Sequence, residues 1–227
     1  MNTADEEKII AIRRTVGMVF QNPDNQIVAN VVEEDMAFGP ENLGVASPSI
    51  RQRVDRALEQ VGMYEYREHS PHLLSGGQKQ RVGLGGVMVG QVDVLLFDEP
   101  LANLDPATGK QAIVLIDEIQ KRTGCAVIII EHRVEDALYR SVDRIIVMDE
   151  GRIQYDGDPD ALLCSELLQD KGIREPLYVT ALKYAGVDLD KTMRPSYLPE
   201  LTLSEAQKEK VRAWFEAQPP VVEKEKQ

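Results

Sequence analysis

Two acidic residues directly follow an apolar segment in the middle of the chain. Asp98 and Glu99 come after Val94–Phe97, and ligands of open parallel sheets bind at the carboxyl ends of the strands. In phosphoryl transfer the first of two such carboxylates commonly holds Mg²⁺, and the second can polarise the attacking water. The alternative is a pair of solvated turn residues. The placement favours chemistry on a phosphate.

A histidine stands at the corresponding place after the next apolar segment. His132 lies just past Ala126–Ile130 and is preceded by Glu131, so we expect it at the same sheet edge, where it could touch a γ-phosphate. A lone histidine is more often a surface or helix-capping residue. Both interpretations stay open for His132 taken alone.

The segment Leu74-Ser75-Gly76-Gly77-Gln78 opens a predicted helix. A helix start of this kind aims backbone N–H groups and the positive end of the helix dipole at an anion, and the Ser75 hydroxyl adds a donor. The segment predicts a phosphate contact, or else an ordinary N-cap with flexible glycines. Its context has to decide between the two.

A parallel sheet is needed to position these residues. Val94–Phe97 and Ala126–Ile130 are continuous apolar segments separated by a helical pattern over Ile113–Gln120, which is typical of a βαβ unit with strands buried on both faces. Val16–Phe20 predicts a further strand, and the polar turn Gln21–Gln26 follows it. The predicted fold class is α/β with a mostly parallel sheet.

Helices and a hairpin complete the predicted elements. The segments 144–148 and 152–155 predict a hairpin at the edge of the sheet. Further helices are predicted at 50–61, 78–90, 159–168 and from Ser204, which has Gln207 three residues on as a capping partner.

Composition excludes several classes of protein. The chain has 227 residues, with 26 Lys and Arg against 38 Asp and Glu, a net charge of −12, which is the wrong sign for a nucleic-acid partner. Two unpatterned cysteines predict neither a disulfide framework nor a metal site. No apolar stretch is long enough to span a bilayer, and the acidic start is not a signal peptide. We therefore expect a cytoplasmic protein whose membrane role is peripheral.

In this order and spacing, the segments resemble the ABC ATPase family over about residues 9–160. The matching elements are Gln21 as the Q-loop glutamine, 74–78 as the signature sequence, 95–100 as the Walker B strand, 101–105 as the D-loop and His132 as the switch histidine. The resemblance implies a partial P-loop NTPase core with a helical signature subdomain at about 30–90, and ATP and Mg²⁺ as cofactors.

The resemblance also assigns roles to single residues. Catalytic roles fall on Glu99, His132 and Gln21, nucleotide contacts on Ser75, Gly76, Gly77, Gln78 and Asp105, and Mg²⁺ contacts on Asp98 and Gln21. Two such domains would pair head to tail, so that Ser75 to Gln78 act on the nucleotide held by the other domain.

Further segments resemble the energy-coupling factor branch, whose ATPases drive uptake of vitamins and of cobalt or nickel. These segments are 25–29 and 32–44, together with 172–177 and 181–186 in the region that links two fused ATPase domains. The implied partners are a second ABC ATPase domain, a transmembrane coupling subunit and a substrate-binding membrane subunit. The implied location is the cytoplasmic face of the membrane, and the predicted division is 1–160 for the ATPase part, 161–218 for a helical appendage and 219–227 for a linker or tail.

One element of the family is missing from its expected place. A Walker A loop, Gly-x-x-x-x-Gly-Lys-Ser/Thr, belongs several dozen residues before the Q-loop, and the Gly109-Lys110 pair lacks both the first glycine and the hydroxyl. We therefore expect weak ATP binding by this chain alone and exposed apolar surface beside the missing strand. Two alternatives stay open: a non-catalytic partner-binding ABC half, and a soluble ABC ATPase that acts on nucleic acid or ribosomes.

Overall fold

The computed structural model describes residues 5–102 and 104–218. The predicted tail at 219–227 and Asn103 of the predicted D-loop lie outside the described residues. The described chain divides after His132 into two compact units, which are taken one at a time below.

Three parallel strands form the sheet of the first unit. They are β1 (Val16–Val19), β2 (Val94–Asp98) and β3 (Ala126–Ile130), in the order β1-β2-β3. Val19 pairs with Phe97 and Phe97 with Ile129. The predicted parallel sheet is confirmed, and its three strands end side by side.

Among the described residues of this unit, five α-helices accompany the sheet, and the helices predicted at 50–61 and 78–90 are both present. The helices are α1 (Ile9–Thr15), α2 (Val32–Asn42), α3 (Ser47–Gln60), α4 (Gly76–Val89) and α5 (Pro106–Thr123), with 3-10 helices at Glu6–Lys8, Pro23–Asn25, Tyr64–Tyr66 and Pro71–Leu73. Helices α2, α3 and α4 pack on one another around buried Met36, Leu58 and Val82.

Glycines let α4 approach its neighbours closely. A Cβ on Gly17 of β1 would lie 2.0 Å from Val87 Cγ1, and one on Gly85 would lie 2.7 Å from Met36 Cε. Glycine inside a helix costs about 1 kcal/mol relative to alanine. Because no side chain fits at these contacts, the packing of α4 offsets its low intrinsic helix propensity.

Strand β3 leaves one of its apolar faces exposed. Ile128 and Ile130, which lie on the same face as their partners Leu96 and Asp98, are 52% and 50% exposed, whereas Val127 and Ile129 on the other face are half-buried. The expectation that both apolar strands are buried on both faces is therefore wrong for β3. Helices α4 and α5 cover one face, around a cavity of about 30 Å³ lined by Phe97 and Leu84, and no described element of this unit buries Ile128.

The second unit contains a hairpin and short helices. Its elements are α6 (Val134–Ala137), β4 (Ile145–Asp149), β5 (Arg152–Gly157), α7 (Pro159–Leu163), α8 (Leu167–Asp170), α9 (Leu177–Tyr184) and α10 (Glu205–Glu216), with 3-10 helices at Lys191–Met193 and Leu198–Glu200. The chain breaks the predicted 159–168 helix between α7 and α8, where the Ser165 hydroxyl donates to Leu162 O at 2.7 Å.

The hairpin corrects the prediction that it extends the main sheet. Strands β4 and β5 pair only with each other among the described residues, because Val147 of β4 packs in a separate core with Leu162, Leu163 and Leu168. The chain divides into its two compact units after His132, and the predicted limit of the ATPase part at residue 160 stays a prediction. No helix among the described residues is both long and apolar enough to cross a membrane.

Tyr178 gives the second unit a measurable dependence on pH. Its hydroxyl donates to Pro195 O at 2.7 Å, and burial raises its pKa from 10.0 to about 12. Because the folded state favours the neutral phenol, this stabilisation is complete below pH 10 and is lost as the pH rises towards 12.

We expect the free energy of unfolding to fall by about 2 kcal/mol across this alkaline range in the parent, and this part of the fall to vanish in Tyr178→Phe. The control is Tyr184→Phe, on the same helix, because Tyr184 is 73% exposed. Urea unfolding at pH 9 to 11.5 measures both. An unchanged alkaline decline in Tyr178→Phe would contradict this account.

Candidate functional site

The carboxyl ends of the three strands meet at one edge, and Glu99 lies at its centre. Asp98, the last residue of β2, pairs with Ile130, the last residue of β3. The Glu99 amide then donates to Ile130 O at 2.9 Å. Glu99 adopts a left-handed φ of 44°, which is uncommon for any residue except glycine. The chain therefore bends sharply where the strand ends.

Side chains from the two neighbouring strand ends reach the same Glu99 oxygen. Gln21, two residues after β1, donates from Nε2 to Glu99 Oε2 at 2.8 Å. His132, two residues after β3, has Nδ1 4.0 Å from Glu99 Oε2. The His132 side chain is 67% exposed and that of Glu99 is 37% exposed. The structure thus brings the side chains of Glu99, Gln21 and His132 together at a site that solvent and a ligand can reach, and it places Asp98 at the end of the central strand beside them.

Glu131 is a member of this site that the sequence analysis did not single out. Its side chain is 1% exposed, and Oε1 lies 3.4 Å from His132 Nδ1. The same oxygen accepts a hydrogen bond from the His132 amide at 3.0 Å. A buried carboxylate in contact with the ring orients His132. The available signal was its position, since it directly follows β3 as Glu99 directly follows β2.

The segment from Ser75 to Gln78 forms a complete capping box at the start of α4. The Ser75 amide donates to Gln78 Oε1 at 2.9 Å, and the Gln78 amide donates to Ser75 Oγ at 3.4 Å. A Cβ on Gly77 would lie 3.1 Å from Thr108 Cγ2 of α5. These described hydrogen bonds join Ser75 to Gln78 and not to Glu99 or His132. The proposed nucleotide contacts of Ser75, Gly76, Gly77 and Gln78 remain a prediction.

Asp105 is the N-cap of α5. Its Oδ1 accepts hydrogen bonds from the amides of Ala107 and Thr108 at 3.0 and 3.1 Å, and its Oδ2 accepts one from the Thr108 hydroxyl. The bond from the Thr108 hydroxyl is the main reason that the pKa of Asp105 is lowered. The carboxylate is thus occupied by capping, and its predicted contact with a nucleotide remains untested.

The strand-end oxygens suit Mg²⁺ bound together with a phosphate. Among the described residues no three side chains of His, Cys, Asp or Glu are grouped to hold a metal ion by themselves. Mg²⁺ typically takes one or two protein carboxylates and completes its shell with water and substrate phosphates. The carboxylate of Asp98 and the amide of Gln21 fit that donor set, and they do not fit a cage made of protein alone.

Comparison with known proteins identifies the family. Residues 1–102 match the ABC transporter family model, and residues 165–227 match a family described as "ATP-binding cassette cobalt transporter". The solved structure of CbiO1 from Clostridium perfringens, described as part of the ABC transporter complex cbiONQ, is similar with a TM-score of 0.67 and 34% identity over 79% of this chain and 71% of that one. The chain belongs to the ABC transporter ATP-binding family, in its cobalt and energy-coupling factor branch.

Two curated relatives in this ABC family agree with that placement. The energy-coupling factor transporter ATP-binding protein EcfA1 of Clostridium novyi is 49% identical over 185 residues, which are 81% of this chain and 65% of that protein. A putative ABC transporter ATP-binding protein of Vibrio parahaemolyticus is 50% identical over 208 residues, which are 90% of this chain and 36% of that protein. The chain spans about a third of the length of several curated relatives that it matches.

The left-handed backbone at Glu99 of this ABC domain predicts an unusual order of stability. We expect Glu99→Gly to unfold with a free energy about 1 kcal/mol higher than Glu99→Ala, because both variants lose the hydrogen bond to Gln21 and only alanine retains the strain. Urea unfolding of the two variants measures the difference.

The control is Glu118, exposed inside α5. There the order reverses, and Glu118→Ala should be more stable than Glu118→Gly by about 1 kcal/mol. The same order at both positions would show that the Glu99 backbone is not left-handed in solution.

Proposed function

We propose that this chain is part of an ATP-binding and ATP-hydrolysing subunit that energises an energy-coupling factor type ABC importer of vitamins or transition-metal ions. The observation that carries the proposal is the meeting of Gln21 Nε2 and His132 Nδ1 around one oxygen of Glu99, at 2.8 and 4.0 Å. The cobalt-transporter description of the family matched by residues 165–227 supports a transition-metal cargo.

Glu99, Gln21 and His132 have complementary roles in hydrolysis of the bond between the β- and γ-phosphates of ATP. Glu99 accepts a hydrogen bond from the attacking water and polarises it, and its carboxylate is the general base. Gln21 fixes the Glu99 carboxylate from one side. His132 is exposed and donates to the γ-phosphate, while the buried carboxylate of Glu131 holds its ring. A carboxylate, an amide and an imidazole thus surround the place where water attacks.

Asp98 and Gln21 would hold Mg²⁺ together with the phosphate oxygens. The ion neutralises charge on the phosphates when it is bound. Asp98 contributes a carboxylate whose backbone is fixed, because the residue belongs to β2 and is held in register with Ile130.

The capping box of α4 serves a second nucleotide in this proposal. Ser75, Gly76, Gly77 and Gln78 begin a helix of 14 residues, and a helix N-terminus attracts an anion. Since their described contacts lie away from Glu99, we propose that they contact the ATP held by a second ABC ATPase domain. In return, that domain supplies its own signature segment to this site.

The remaining partners are proposed to be a transmembrane coupling subunit and a substrate-binding membrane subunit, with this chain on the cytoplasmic face. The solved CbiO1, described as part of a transporter complex, supports this assembly. We also propose that the 227 residues alone hydrolyse little ATP, because they contain no Gly-x-x-x-x-Gly-Lys-Ser/Thr sequence to cradle the phosphates. The net charge of −12 disfavours a nucleic-acid partner.

Glu99→Gln separates binding from hydrolysis, provided that the chain is joined to a P-loop segment from a longer relative. We expect ATP affinity to persist and turnover to fall by roughly 10² or more, because glutamine keeps the shape and removes the charge that activates water. Calorimetry and phosphate release measure the two, and the unjoined chain gives the weak-binding baseline. ATP should then trap the variant as a dimer.

The matched variant is Ser75→Arg, which places bulk and charge where the phosphate of the partner must approach α4. It should fail to dimerise with ATP, as measured by light scattering. Hydrolysis by Glu99→Gln at the parent rate would show that Glu99 is not the catalytic residue.

A further inference from the structure

The segment between β1 and α2 determines where the Gln21 side chain lies. This segment includes Gln21 and the 3-10 helix Pro23–Asn25. The hydrogen bond from Gln21 Nε2 to Glu99 Oε2 spans 78 positions in the sequence, so local chain geometry does not determine it. Gln21 lies two residues before the 3-10 helix. Contacts that hold this helix in place therefore also hold Gln21 within reach of Glu99.

An ion pair ties this segment to α4. Lys79 Nζ lies 2.6 Å from Asp24 Oδ1. The Lys79 side chain is only 15% exposed, whereas that of Asp24 is 57% exposed. Lys79 directly follows Gln78, so the pair is anchored within the first turn of α4. A lysine stem buried to this extent has few alternative positions, and it brings its charge to Asp24 at a reduced entropic cost.

A second contact lies one turn further along the same helix. Gln26 Nε2 donates to Gly83 O at 3.0 Å, and Gln26 Oε1 accepts from the Phe20 amide at 3.4 Å. A Cβ on Gly83 would lie 3.3 Å from the Gln26 amide group, so a glycine at this position leaves room for the contact. Lys79 and Gly83 are four residues apart and face the same segment.

The geometry points to Asp24 and Lys79 as positioning residues for Gln21. Their ion pair holds the 3-10 helix against α4, and the Gln21 amide thereby stays on the Glu99 carboxylate. The first turn of α4 is proposed to contact a second nucleotide. Through the ion pair, α4 is also linked to Gln21, which holds the water-activating Glu99 of its own domain. This link rests on the proposed hydrolysis, whereas the contact between the two segments does not.

Hydrogen–deuterium exchange of the 227-residue chain tests the contact directly. In Asp24→Asn and in Lys79→Gln we expect the amides of residues 20–28 to exchange about threefold to tenfold faster, with those of 94–98 unchanged. The charge-swapped double variant Asp24→Lys/Lys79→Asp should return the rates to within about twofold of the parent. The control is Lys121→Gln, which removes the exposed pair with Asp117 and should leave residues 20–28 unchanged.

Two results would overturn the inference: parent-like exchange at 20–28 in both single variants, or a swapped variant that exchanges as fast as they do. If Lys79→Gln also speeds exchange at 94–98, that variant has loosened the whole unit. The exchange of residues 20–28 in Asp24→Asn then decides whether the ion pair holds the segment, because the Asp24 side chain is largely exposed.

Kinetics of the chain joined to a P-loop segment test the consequence for Gln21. Each single variant should lower kcat about threefold to tenfold, with the KM for ATP within about twofold of the parent value. The charge-swapped double variant should regain the kcat of the parent. If the parent hydrolyses no ATP, the proposed function fails while the exchange result stands. If the parent is active and the single variants match it, the positioning role is wrong.

Discussion

The site depends on the register of three parallel strands. Because β1, β2 and β3 run in the same direction and are paired residue by residue, their carboxyl ends reach one edge. Each strand is followed within two residues by a functional group, Gln21, Glu99 or His132. A shift of one residue in any pairing would turn the side chains of that strand to the other face. The sheet therefore sets where the three groups begin, and the contacts of the segment after β1 with α4 complete the placement of Gln21.

The rest of the first unit keeps this edge in place at some local cost. Helix α4 contains five glycines in its fourteen residues, yet it packs tightly on β1 and α2, because no side chain would fit at Gly17 or Gly85. Glu99 in turn holds a left-handed φ. Strained backbone at a strand end and low helix propensity are tolerated when neighbouring packing determines both. The two features occur where chemistry and partner contacts are proposed.

The sequence predicts this part of the molecule well, because long apolar segments have a strong period and short polar motifs follow them directly. The strands, the start of α4 and the position of Glu99 and His132 at one sheet edge follow from that pattern, whereas Gln21 is assigned from the resemblance to the ABC ATPase family. The hairpin could not be placed, since alternation indicates a strand and not its neighbour, and Val147 proves to pack in a second core. Contacts between residues far apart in sequence, such as Lys79 with Asp24, leave no local signal.

The central claim is that ATP and its metal ion bind at the strand-end cluster of Gln21, Glu99 and His132. Replacement of Mg²⁺ by paramagnetic Mn²⁺ in the nucleotide complex tests this claim most directly. In the chain joined to a P-loop segment, Mn²⁺-ATP should broaden the NMR signals of the Gln21 side-chain amide and the His132 ring severely. The ring of His69, which packs beside Tyr66, should be broadened far less. Equal broadening of all three signals, or sharp signals for Gln21 and His132, would contradict the account.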